Sequence, residues 1–215
     1  KGWFVERHER EIFPLLHRRH LFAEVRDFRF FDFTTPDGGV AEDVFAFANW
    51  VGQDRAVVVV HSRFGDVRGT IRDAVPFSVR EGDQRRVATD TLGRALGLPR
   101  DGDAWIVYRD MVGGLEHLRS CLAIHERGLE FDLHAYDRRV LLDWRILHDG
   151  EGLLPRLAER LGGRGVRSVD AALDALRAEN AAPVEAPAPP TPQVKARRPS
   201  RAPSKAPPRR RRPIR

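Results

Sequence analysis

Sulfur is nearly absent from this chain. Cys121 is the single cysteine among 215 residues. One cysteine excludes an internal disulfide and a cysteine-based zinc site. Long apolar runs are also missing, and none reaches the roughly 20 residues that a membrane-spanning helix requires. No secretory leader opens the chain. It begins at Lys1 and not at Met, so that lack says little about compartment. Compartment is left open, with the cytoplasm favoured. Proline is scarce before residue 181 and dense after it: ten of the fifteen prolines lie in 181–215.

Charge is divided in the same way. Residues 181–215 carry ten Lys or Arg and one acid, Glu185, for a net +9. The whole chain is +6, so residues 1–180 sum to −3. The basic character therefore belongs to the tail, and the rest does not read as a basic nucleic-acid-binding domain. A proline-rich, like-charged tail cannot bury enough apolar surface to offset its ordering entropy. Disorder is expected there.

The strongest pattern is Val44–Ser62, VFAFANWVGQDRAVVVVHS. It reads as two strands about the polar turn Gly52-Gln53-Asp54. The run Ala56 to Val60 has the continuity of a strand covered on both faces. Upstream, residues 3–20 have helical spacing in Val5, Ile12, Leu15 and Leu16. Pro14 would interrupt a helix interior, so a start or kink near Ile12 is expected. Asp27 to Phe33 reads as a strand whose phenylalanines belong to a core. Further strands are expected at Val67–Arg72 and Ala104–Arg109. A short helix is expected in Thr89–Leu96, stopped by Gly97. Leu115 to Glu126 has helical spacing. Leu129–Ala135 and Arg138–His148 alternate, with Val140, Leu142, Trp144 and Ile146 on one face of the second. Leu153–Leu161 and Ser168–Glu179 read as helices.

These hairpins predict a mainly β fold: an antiparallel β-sandwich with flanking helices and a disordered basic Pro/Arg-rich tail. The expected division is 1–25 helical, 26–149 the sandwich, 150–180 a helical extension and 181–215 the tail.

Candidate chemistry is sparse. The eight histidines are scattered, and His17 with His20 lacks the further ligand that a metal site needs. His61 and Ser62 are neighbours on a strand and point apart. Glu130 and Asp132 share a strand face that reads as solvated. No catalytic residue, metal site or cofactor is implied. Trp50 and Trp105 are the candidate carbohydrate-stacking residues if exposed, with burial in the core as the plainer reading.

Four stretches carry a family resemblance. Glu11–Phe33, Val44–Ser62, Gly114–Gly128 and Gly128–Trp144 come in the order seen at the C-terminal end of the α-amylase family of glycoside hydrolases. The first resembles that family's last barrel helix leading into a strand. The second resembles its Val-rich hairpin, with His61 where the family usually has Asn. The third is similar to an insertion of large bacterial members, and the fourth to its closing hairpin. The resemblance implies that 1–25 end a (β/α)₈ barrel and that 26–149 are the sandwich packed on it. It implies a non-catalytic accessory domain, stabilising a catalytic barrel that acts on α-glucans by a retaining mechanism. That barrel and, through it, an α-glucan are the expected partners; no membrane partner is expected. Two other classes stay open: a carbohydrate-binding module, and a polyanion or nucleic-acid contact made through the tail.

Deleting residues 181–215 is expected to leave the melting temperature within about 1 °C, since changes away from packed features are usually small. Retention on heparin should fall with the deletion and, for the full chain, with added salt. A melting temperature lower by several degrees would show that the tail packs on the domain.

Overall fold

Ten strands and seven helices fold residues 2–23 and 25–181, the part that the computed structural model describes. The strands are β1 (Arg29–Thr34), β2 (Val44–Val51), β3 (Asp54–His61), β4 (Val67–Ala74), β5 (Phe77–Glu81), β6 (Gln84–Ala88), β7 (Ala104–Asp110), β8 (Leu115–Ser120), β9 (Leu129–Leu133) and β10 (Arg138–His148). Eight of them form one curled antiparallel sheet in the order β8-β7-β10-β3-β2-β1-β4-β9. β5 and β6 form a separate ribbon, which the sequence reading did not anticipate. Where a two-sheet sandwich was expected, the hydrogen bonding runs unbroken. β1 pairs with both β2 and β4, and β10 with both β3 and β7. The sheet closes over its own inner face instead of meeting a second sheet.

β3 lies fourth in the order, between β10 and β2. Val57 and Val59 point inward and are fully buried, while Val58 packs with the outer cluster. Both faces of this strand are apolar because both faces are covered. The inner core joins Phe31, Phe33, Ile71, Ile106, Leu133 and Trp144, among others. Each such side chain contributes roughly 1.5–3 kcal/mol on burial. Two short helices, α4 (Leu92–Ala95) and α5 (Cys121–Arg127), add Leu92 and Ile124 to the same core. Thr91 caps the first, accepting from the Arg94 amide at 3.4 Å, and Ser120 caps the second, accepting from the Ala123 amide at 3.4 Å.

The stretch Leu115–Glu126, expected to be one helix, divides at Ser120 into β8 and α5. Leu118 has a strand partner in Val107, and pairing with β7 overrides the helical spacing. β10 also departs from simple alternation. Asp143 has a φ of +54°, and Asp143 with Trp144 together oppose Tyr108 alone. This bulge shifts the inward set by one residue. Leu141 and Trp144 face the inner core, whereas Val140 and Leu142 face outward. The expected face of Val140, Leu142, Trp144 and Ile146 is therefore corrected.

The outer face is covered in pieces. α6 (Leu153–Leu161) and α7 (Val169–Ala181) lay Leu154, Leu157 and Leu173 over Val107 and Leu118. At the other end the expected break near Pro14 is present: α1 (Gly2–Glu11) stops, and α2 (Phe13–His17) starts with the proline in its first turn. α3 (His20–Ala23) places Leu21 over Ala56, Val140 and Leu142. The fully buried Asn49 amide donates to the Leu21 carbonyl, and its Oδ1 accepts from the Trp50 amide at 2.9 Å. The flanking helical segments and the sheet thus share packed clusters within one compact unit, Lys1–Ala182. The expected disorder of 181–215 falls, from 182 onward, outside the described residues.

Gly128 is the turn from α5 into β9. Its φ is +72°, and a Cβ there would stand 2.0 Å from the Ile71 carbonyl oxygen. Gly128→Ala should cost about 3 kcal/mol or more, from left-handed strain together with the overpacking. Gly150→Ala, with open space around it, should stay within about 0.5 kcal/mol. Urea unfolding of the two variants checks the contrast, and equal midpoints would refute it.

Candidate functional site

No group in the described residues has the setting of a nucleophile. Cys121 is fully buried, and its thiol is pushed up to about 11 by burial. The Tyr108 hydroxyl is pushed up to about 12, again by burial, with its ring stacked between His117 and Trp144. Burial, with Arg119 nearby, lowers His117. His61 and Ser62 point apart as expected. His61 is buried with Nε2 3.4 Å from an Asp43 carboxylate oxygen, while the exposed Ser62 hydroxyl donates to the Asp43 carbonyl. Glu130 and Asp132 are both exposed beside Arg68, at 2.5 Å and 3.5 Å. His20 Nε2 meets the Asp54 carboxylate at 2.9 Å. Among the described residues no group of three or more His, Cys, Asp or Glu could hold a metal ion. No described helix is long and apolar enough to cross a membrane.

The two candidate stacking tryptophans each pack in part against the fold. Trp50 is half-buried. Its indole covers Gly97, where a Cβ would stand 2.3 Å from the ring, and its Nε1 donates to the Gly52 carbonyl at 2.7 Å. The Arg55 guanidinium lies 5.5 Å from the ring centroid. Trp105 packs against the cluster under α6 and α7 and reaches the rim of a cleft of about 1080 Å³. Arg119, Arg127, Arg164, Glu130 and Asp132 also line that cleft. Acids and bases alternate there, so it selects no single sign of charge.

The conspicuous surface lies elsewhere. The outer face of β1 and β2 is covered in part: α3 reaches β2 through Leu21 at Asn49 and Phe22 at Phe47. Phe30 and Phe45 point out of this face and are 53% and 55% exposed. Phe30 and Phe47 are cross-strand partners, and Phe28 stands 4.8 Å edge-on from Phe30 and 5.3 Å from Phe47. Phe22 joins the group 6.3 Å from Phe47. The N-terminal helices also expose Trp3, Phe4, Val5, Phe13 and Leu16. Scattered apolar residues on a surface are ordinary, whereas a cluster of this kind marks an interaction surface.

Sequence reasoning placed the phenylalanines of Asp27–Phe33 together in the core. The structure buries only Phe31 and Phe33 and leaves Phe30 out. The signal was present. In a strand, neighbours alternate, so Phe30 and Phe31 could not share one face.

No family model, curated protein or solved structure matches this chain.

Phe45→Ser removes apolar area from this partly covered face without opening the inner core. Retention on a hydrophobic-interaction column should fall, while the unfolding midpoint changes by no more than about 0.5 kcal/mol equivalent. Unchanged retention would show that this face is not the apolar surface the protein presents.

Proposed function

We propose that this chain is the C-terminal accessory domain of an α-amylase family glycoside hydrolase acting on α-glucans. It stabilises the catalytic barrel and is itself non-catalytic. The single observation that carries this reading is the exposed aromatic cluster on the partly covered outer face of β1 and β2, with further apolar residues exposed on the N-terminal helices. A barrel packed there would cover the surface, and the curled sheet would be the counterpart of that family's sandwich. The sequence resemblance supports the same assignment, because its stretches fall on successive elements. Glu11–Phe33 runs through α2 and α3 into β1, Val44–Ser62 is the β2–β3 hairpin, and Gly128–Trp144 spans β9 and much of β10.

Incubation of the purified chain with soluble starch or maltooligosaccharides should release no reducing sugar above buffer. Release that is abolished by a point change within this chain would overturn the non-catalytic assignment.

A further inference from the structure

One end of the sheet carries a second aromatic feature, distinct from the outer face of β1 and β2. Two loops meet there: residues 62–66 between β3 and β4, and 134–137 between β9 and β10. Each turns one ring into solvent. Phe64 is 80% exposed and Tyr136 63%. The loops are fastened to each other. The Tyr136 amide donates to the Arg63 carbonyl at 3.2 Å, and the His61 amide to the Asp137 carbonyl at 2.9 Å. His61 Nδ1 donates to the His134 carbonyl at 2.9 Å, and the His134 ring meets Asp66 at 3.0 Å. Ser62 holds the far side, its amide donating to the Asp43 carbonyl at 2.8 Å.

Tyr136 also sits at φ +56°. Glycine or asparagine would occupy that position at little cost, whereas a bulky side chain is strained there. The residue stays mostly exposed in return. Packing therefore does not explain a tyrosine at this position, whereas contact with a ligand does. The surroundings indicate what kind. Arg63, Asp66 and His134 have side chains 76%, 77% and 76% exposed. The two rings are thus set beside polar groups. An aromatic face with hydrogen-bonding neighbours suits a ligand with an apolar C–H face and a hydroxyl rim, which is a pyranose.

We propose that Phe64 and Tyr136 form a platform that stacks on the sugar rings of an α-glucan chain. Arg63, Asp66 and His134 would meet its hydroxyls. The choice of an α-linked glucan rests on the function proposed above. The locked loops hold the rings in place before binding, so little ordering entropy is lost.

The test uses the full chain. Its migration is measured in native gels containing soluble starch, hydroxyethylcellulose or neither, with maltoheptaose titrated by calorimetry. Wild type should be slowed by starch. Phe64→Ala and Tyr136→Gly should each weaken maltoheptaose binding by about three- to tenfold, and Tyr136→Phe should retain it. Tyr136→Gly also relieves the left-handed strain, so its melting temperature should equal or exceed that of wild type, which keeps a binding loss distinct from misfolding. The proposal is overturned if starch does not slow the wild type, if only the cellulose derivative does, or if the double variant binds as wild type. It is equally overturned if the variants change self-association and leave glucan binding intact. Failure of the accessory-domain reading would show instead in starch hydrolysis by this chain, so the two failures are distinguishable.

Discussion

The carboxylate of Glu116 joins four parts of the structure. Its Oε1 accepts from Arg109 on β7 at 2.6 Å. Its Oε2 accepts from Arg145 on β10 at 3.4 Å and from the Val169 amide at the start of α7 at 2.8 Å. The Glu116 backbone exchanges two hydrogen bonds with Val166, at 2.7 and 2.8 Å. A negative charge at a helix N-terminus is favourable, and here it also supplies an acceptor that the first turn lacks. One residue thus pins α7 to the outer face and pairs part of the β8 edge. The side chain is 13% exposed, so its loss would leave Arg109 and the Val169 amide short of an acceptor in a half-buried setting.

That pinning answers a constraint set by the curl of the sheet. A sheet that closes over its own inner face settles half of its apolar surface and leaves the other half facing outward. α6 and α7 cover the outer side of β7 and β8, and α2 and α3 cover that of β3 and the first half of β10. The Arg18–Asp143 ion pair links the segment between α2 and α3 to the β10 bulge, and Asp143 also faces Arg109 at 3.9 Å. On β1 and β2 the cover is partial: α3 reaches Asn49 and Phe47, while Phe30 and Phe45 stay exposed. The incompletely covered outer face is therefore the part of the fold that a partner can use.

Much of this fold was legible in the sequence, for identifiable reasons. The central position of β3 follows from the AVVVV run, and the α6 and α7 boundaries follow from apolar stripes and the Ser168 cap, whose hydroxyl accepts from the Ala171 amide at 3.2 Å. The β9 faces follow from strict alternation. What failed was long-range. The bulge at Asp143 is imposed by pairing with β7 and has no local glycine to announce it. β8 was hidden because Leu115, Leu118 and Leu122 have helical spacing, and only its partner strand decides otherwise. The β5–β6 ribbon buries little, and its residues are mostly exposed, so no apolar pattern marked it.

The surface sites were less legible than the core, because an aromatic residue in a sequence does not state whether it is covered. Trp50 and Trp105 were the natural candidates for stacking on a ligand, yet each fills a gap that the fold creates: Trp50 over Gly97, Trp105 beneath α6 and α7. Phe64 and Tyr136 lie in turns, where a propensity reading looks for glycine and asparagine. A large ring in a turn is the informative departure, since neither the turn nor the core requires it. The same reasoning separates the two aromatic surfaces. Phe30, Phe45 and Phe47 are regular strand residues on a partly covered face, which suits a broad protein contact. The loop rings stand beside charged groups, which suits a narrow, hydroxylated ligand.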